Sequence, residues 1–357
     1  MKLLKAAERS AKKIFLGLVK LVINQQKYIA DQVQPELIKK IIIVHLDRKV
    51  GNIVLSTPMI EIAKTVFCNA QVDILIASPV KAILDENPNL SKIFEFKHID
   101  YIVNPFRLFK LRAFLKKQNY DLAVESSNPS GTSSLNGFIT YLTNAKYKVG
   151  FSKGSGSLYT NIHIIPDKKD HYYISKQKLI NVFSKREITV LPKLFVDKIS
   201  IENIKKHLAD KFGIERTKAI AGIWVGARDK KKWDMEYFFS VYNYLLISTD
   251  FFPILLFGKE EATLYNQIDK EKYNSLSFDD LNKLKQFIAC LQIFISGDTG
   301  PLHYAYALGI NTIGIFLQDN YDTYGYSVEG KNFIIKPGDP NKMINEIVEI
   351  CKDLDKS

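Results

Sequence analysis

Past Lys40 the chain alternates short apolar runs, rich in β-branched residues, with longer stretches whose apolar positions recur at helical spacing. That alternation predicts βαβ units wound around a parallel sheet. Five strand candidates come first: Ile41–Leu46, Val72–Ala77, Lys92–Phe96, Asp121–Ser126 and Lys146–Phe151. After a connector around Glu187–Ser200 a second series follows, with Ala219–Trp224, Phe252–Phe257, Ile293–Ser296 and Asn311–Phe316. The expected fold is α/β, two doubly wound Rossmann-like lobes in series over residues 36–187 and 188–339. Ligands are expected in the cleft between the lobes, at the carboxyl ends of strands. A last helix candidate, Pro340–Leu354 within residues 340–357, can cross back onto the first lobe.

Residues 1–35 read differently. Lys2, Lys5, Arg9, Lys12, Lys13, Lys20 and Lys27 face only Glu8 before Asp31, and they interleave with Leu3, Leu4, Ile14, Phe15, Leu18, Leu21 and Val22. This pattern predicts a basic amphipathic helix. Its apolar stretch, Ile14–Ile23, is about half the roughly 20 residues a membrane span needs, and Lys20 interrupts it. No small-x-small cleavage site follows, as a signal peptide would require. The helix either docks on an anionic membrane surface or packs, solvated, on its own domain.

Composition narrows the picture further. With 357 residues, 46% hydrophobic and 25% charged, the chain is large enough for two domains. Fifty Lys and Arg against 38 Asp and Glu leave a formal charge of +12, which points to an anionic partner: nucleic acid, nucleotide phosphates or acidic lipid. Cys68, Cys290 and Cys351 lie far apart without a C-x-x-C, which argues against a disulfide framework or structural zinc and fits a reducing cytoplasm. The six histidines are scattered, so no protein-bound transition metal is expected.

The richest motif is IFISGDTGPLHYAYALG, a strand, a Gly-flanked acidic turn and a helix with Pro301 at its first positions. The free N–H groups of that helix start, at Thr299, Gly300 and Leu302, can receive a diphosphate at the positive end of the helix dipole. Gly300 allows close approach, and Asp298 and His303 flank the same anion. The plainer reading makes Asp298 and Thr299 capping residues and His303 a satisfied histidine.

D-T-G-x-x-H in a strand-to-helix turn of a second α/β lobe resembles the nucleotide-sugar diphosphate site of glycosyltransferase family 9, the heptosyltransferases. The resemblance implies the two-lobed GT-B architecture, with an acceptor-side first lobe and a nucleotide-sugar-binding second lobe. It also implies inverting transfer of heptose from ADP-heptose to a lipopolysaccharide core, without a bound metal or other cofactor. Leu46–Lys64 resembles the family's first loop, D-R-x-G-D-x-x-L-x-T-P, with Asp47, Arg48, Gly51, Leu55, Thr57 and Pro58 in place. Asn52 stands where the family carries an aspartate acting as base. An amide can orient a hydroxyl but cannot take its proton. Asp47, the nearest carboxylate, is the candidate substitute base, or else a turn-capping residue.

Gly222–Phe238 resembles the family's strand, basic loop and K-x-W, with Lys231 in the lysine position and Arg228, Lys230 and Lys232 beside it. A cation there stabilises charge on a departing diphosphate; taken without Trp233, the same run reads as a solvated basic loop. Glu260, following the strand Phe252–Phe257, takes the place of a ribose-contacting glutamate, although acids at helix starts are common. Tyr141–Phe151 resembles a first-lobe strand of the family, whereas Gln318–Gly330 departs from its G-P-T-D-P loop.

Other chemistries lack their motifs: there is no P-loop, no convincing G-x-G-x-x-G after a strand and no G-x-S-x-G. The single D-x-D, Asp353–Asp355, sits in the C-terminal tail, and no nucleic-acid recognition motif accompanies the charge. The expectation is a cytoplasmic glycosyltransferase, peripheral on the inner face of a bacterial inner membrane. Its donor site is expected at Gly51, Arg228, Lys232, Glu260, Asp298, Thr299, Gly300 and His303, with chemistry at Asn52, Asp47 and Lys231. Loss of the base at position 52 leaves a second reading, a nucleotide-sugar-binding subunit or regulator without turnover.

Overall fold

Ile41–Val44, four consecutive branched residues, are wholly buried, each contributing ~1.5–3 kcal/mol relative to an exposed side chain. A run of this kind is buried on both faces and makes a central parallel strand. The computed structural model describes residues 23, 25–104, 106–129, 133–153, 155–227 and 232–356. Contacts divide the chain into two units. The first runs to Arg48 and resumes over Pro58–Lys81 and Pro88–Val190; the second comprises Lys49–Thr57, Ala82–Asn87 and Leu191–Ser357.

The first unit holds β1 (Lys40–His45), β2 (Gln71–Ala77), β3 (Lys92–Phe96), β4 (Leu122–Glu125), β5 (Tyr147–Phe151) and β6 (Ile162–Ile164). They form a six-stranded sheet in the order β3-β2-β1-β4-β5-β6, with every pair parallel. Asp121 fixes the start of β1 beside β4 by accepting from the Lys39 and Lys40 amides at 2.8 and 2.9 Å. The register then brings Val44 opposite Glu125.

The second unit repeats the plan with β7 (Ile220–Trp224), β8 (Phe252–Gly258), β9 (Ser275–Phe278), β10 (Ile293–Gly297), β11 (Asn311–Ile315) and β12 (Asn332–Ile335). Their order, β12-β11-β10-β7-β8-β9, is again parallel throughout. Counted within its own unit, each sheet runs 3-2-1-4-5-6, the doubly wound order. Strand order therefore reverses between β1 and β4 and between β7 and β10, where such sheets open a crevice at their carboxyl ends.

Two sequence expectations change. Residues 1–22 and 24 of the expected N-terminal helix lie outside the described residues. Its remainder, 25–35, is irregular with a 3₁₀ turn at Ala30–Gln32, and a second turn follows at Pro35–Leu37. Ile29 is extended there, the Tyr28 amide donates to the Asn161 carbonyl at 3.0 Å, and Pro35 lacks the N–H a continuing helix needs. The C-terminal helix Pro340–Asp355, considered for a return to the first lobe, instead buries Met343, Ile347 and Cys351 in the core of the second unit. Among the described residues no helix is long and apolar enough to cross a membrane.

Candidate active site

At the reversal point of the second sheet, β10 ends at Gly297, Asp298 and Thr299 follow, and the helix Gly300–Leu308 begins. Pro301 suits the first turn because its missing N–H would have no helical partner there. Gly309 ends the helix at φ 78°, a left-handed conformation that glycine adopts without strain. Thr299 occupies the N-cap, but its hydroxyl lies 2.9 Å from Ser296 Oγ and makes no capping bond to the helix. The leading amides are thus not capped by that side chain. Asp298 is buried and its Oδ2 accepts from Asn320 Nδ2 at 2.8 Å.

The short helix Val50–Val54, part of the same unit, packs on this helix. A β-carbon on Gly51 would stand 2.5 Å from Cδ2 of the buried His303, and one on Gly300 would stand 2.8 Å from Cβ of Val50. The sequence reading reserved Gly300 for approach by a ligand; here its missing side chain admits Val50. Asn52 is buried in the Val50–Val54 helix, with its carbonyl accepting from Ser56 Oγ at 2.7 Å.

Arg228 and Lys231 lie outside the described residues, as does Lys230. Lys232 is exposed, and Trp233 after it is buried edge-on against Phe238 with ring centroids 5.2 Å apart, which anchors the end of the basic loop. Glu260 is exposed in the 3₁₀ turn Lys259–Glu261. Its neighbour Glu261, which sequence reasoning passed over, folds inward. β-Carbons on Gly226 and Gly258 would each lie 2.9 Å from its Oε2, and burial raises its carboxyl pKa. The glycine at each strand end was the available signal.

The reversal point of the first sheet carries a polar cluster that sequence reasoning also missed. The Lys176 side chain is wholly buried on the helix Tyr172–Asn181. Its ammonium donates to the Ser126 carbonyl at 2.9 Å, to Ser126 Oγ at 3.2 Å and to the Ser127 carbonyl. His45 Nδ1 lies 3.0 Å from the same Ser126 Oγ, and Ser127 Oγ donates to Glu125 Oε2 at 2.9 Å. Burial lowers the Lys176 pKa to about 7 against the pull of Glu125 and Asp47, and lowers that of His45 to about 3. Burial raises that of Glu125. Asp47, just past β1, is half-buried within the electrostatic reach of Lys176 and His45. The signal was a lysine on the inner stripe Tyr172, Ser175, Lys176, Leu179, Ile180.

Beyond β2 and β3 of the same unit, Arg48, Ser78, Phe96, Lys97, His98 and Ile99 line a cavity of about 260 Å³. His98 stands edge-on to Phe96, and burial followed by the Arg48 charge lowers its pKa. The basic side chains suit the pocket to an anionic group.

The sequence model of glycosyltransferase family 9 (heptosyltransferase) matches residues 108–341. The chain belongs to glycosyltransferase family 9. This family 9 enzyme is 29% identical over 298 residues, 77% of its length, to lipooligosaccharide heptosyltransferase 2 of Campylobacter jejuni subsp. jejuni serotype O:6, covering 81% of that protein. Among solved structures it resembles E. coli ADP-heptose lps heptosyltransferase II, with a TM-score of 0.72 at 14% identity, covering 88% of this chain and 98% of the other. The E. coli heptosyltransferase WaaC with ADP gives a TM-score of 0.67 at 15% identity, covering 88% and 99%. These two likenesses speak to fold, and they support the GT-B type for this family 9 enzyme. The matched span omits the loop holding Asp47, Gly51 and Asn52.

Proposed function

We propose that this glycosyltransferase moves heptose from ADP-heptose onto a lipopolysaccharide core acceptor, with inversion, without a metal, at the cytoplasmic face of the membrane. The observation that carries the reading is the Gly300–Leu308 helix start at the reversal point of the second sheet, where backbone N–H groups and the helix dipole favour a diphosphate. The relatives support it, being named as heptosyltransferases and, in one structure, with ADP. Lys231 with Arg228 and Lys232 stabilises the departing diphosphate, Glu260 meets the ribose, and the first unit receives the acceptor. Asp47 takes the proton that the Asn52 amide cannot, and the Arg48, Lys97 and His98 pocket holds an anionic group of the acceptor. Loss of catalysis, the other reading of Asn52, is not favoured by relatives named as transferases.

Calorimetry with ADP and ADP-heptose, then a transfer assay on a heptose-deficient core acceptor with and without EDTA, tests the reading. Binding and EDTA-insensitive turnover are expected. Asp47→Asn should abolish turnover with donor binding kept, and Asn52→Asp should retain or raise it. Full activity in Asp47→Asn removes Asp47 as base; donor binding with no transfer to any core acceptor points to a binding subunit.

A further inference from the structure

The helices His98–Val103 and Arg107–Lys117 turn Tyr101, Leu108, Leu111 and Leu115 toward the core of the first unit. Their other side departs from the polar face a water-exposed helix carries. Ile99, Val103, Phe106 and Phe109 are 61%, 76%, 76% and 69% exposed, and Phe114 is exposed as well. The Phe106 and Phe109 rings stack with centroids 6.4 Å apart. Single exposed apolar side chains are ordinary, but five on two successive short helices and the turn between them are not.

The charges among them are nearly all of one sign. Lys97, Arg107, Lys110, Arg112, Lys116 and Lys117 are opposed within this stretch by Asp100, which is bonded to Arg107 at 2.7 Å. Symmetric pairing with a second copy would set this positive face against itself. An anionic lipid leaflet instead satisfies both features: aromatic rings settle at headgroup depth while Lys and Arg meet the negative surface. Lys97 and Ile99 also line the cavity with Arg48 and His98, so the patch continues into the pocket assigned to the acceptor.

We propose that this face, Ile99 to Lys117, docks the protein on an anionic lipid bilayer, separately from any role of residues 1–22. A lipid-linked acceptor as the reason for docking rests on the proposed function; the docking itself does not. The full-length chain is sedimented with phosphatidylcholine vesicles, with and without phosphatidylglycerol. Binding should require the anionic lipid and weaken with salt. Phe106→Ser/Phe109→Ser should lower partitioning about tenfold or more, and Lys116→Gln and Lys117→Gln roughly fivefold each, with unchanged circular dichroism. Transfer to a soluble core acceptor should be unaffected by the phenylalanine changes, while transfer to a vesicle-embedded one falls. Unchanged partitioning of the phenylalanine variant overturns the proposal, as does equal binding to neutral vesicles. So does a variant that dissociates a dimer while still binding vesicles. Lipid-dependent binding without any transfer keeps the docking face and removes the functional reading instead.

Discussion

Replacing Lys176 by methionine keeps an unbranched side chain of similar length and removes only the charge and its donors. Left behind are the Ser126 and Ser127 carbonyls and Ser126 Oγ, which the ammonium serves, and the buried Glu125 that it faces. An acceptor stranded in the interior costs ~1–3 kcal/mol, and removing one partner of a buried ionic cluster costs ~3–5 kcal/mol in all. At ~2–4 °C per kcal/mol for a unit of this size, the first unit should melt roughly 10 °C lower. Glu125→Gln in the same chain should restore part of the loss, through a coupling of at least ~1 kcal/mol. Both tryptophans, Trp224 and Trp233, belong to the second unit. Far-ultraviolet circular dichroism should therefore register the drop, while tryptophan fluorescence shifts less. A folded-state pKa of about 7 against the ordinary lysine value of 10.5 means that between these values the unfolded chain keeps a proton the folded one has released. That contribution to stability is full above pH 10.5 and is lost as pH falls toward 7. Lys148, lowered to about 8 by burial, adds a rise of the same sign in both proteins, so the wild type should gain more stability over this interval than Lys176→Met does, the difference opening from pH 7 upward. A loss below ~1 kcal/mol, or the same rise in the variant, would refute the assignment of Lys176 as the clamp of the β4 end.

His45, held neutral by burial with a pKa of about 3, contributes stability that is full above pH 6.5 and lost as pH falls toward 3. His45→Phe should flatten the midpoint-against-pH curve over that window, and an unchanged slope would count against it. Gly51→Ala places a carbon 2.5 Å from His303 Cδ2 and should cost ~1–3 kcal/mol in the tryptophan-monitored transition, with weaker ADP binding. A wild-type midpoint would show that the two helices part without cost. Lys231→Ala should lower kcat ~100–1,000-fold while ADP affinity changes little; unchanged turnover would exclude it from leaving-group stabilisation.

How much could be read in advance depended on burial. The inner strands of both sheets are mostly apolar and buried and announce themselves, while β3, although outermost and partly exposed, is legible from the alternation in KIFEF. The strands missed, β6, β9 and β12, are each outermost in their sheets. They are short and half-buried, with sequences such as IHI and SLSF that no periodicity distinguishes from loop. The helix start at Gly300 was readable because proline and glycine punctuate it. His45 and Lys176 were not, since a titratable residue inside an apolar stripe gains meaning only when the fold brings it to another. The irregular backbone before Pro35 was not legible either, since it answers to Asn161, far along the chain.

The second unit is discontinuous in sequence, because Lys49–Thr57 and Ala82–Asn87 belong to it. Cleaving the chain at the connector would not release an intact half. Residues from Leu191 onward would lose Val50 from above Gly300, and Lys285, wholly buried in the intact chain, would lose Glu86, now 3.0 Å from its ammonium. Synthesis meets the same constraint in time. The five-residue helix Val50–Val54 leaves the ribosome long before the helix that supports it, and a segment so short does not hold its shape alone. The loop carrying Gly51 and Asn52 therefore takes its form only once the helix Gly300–Leu308 has been made, so its shape depends on residues translated long after it.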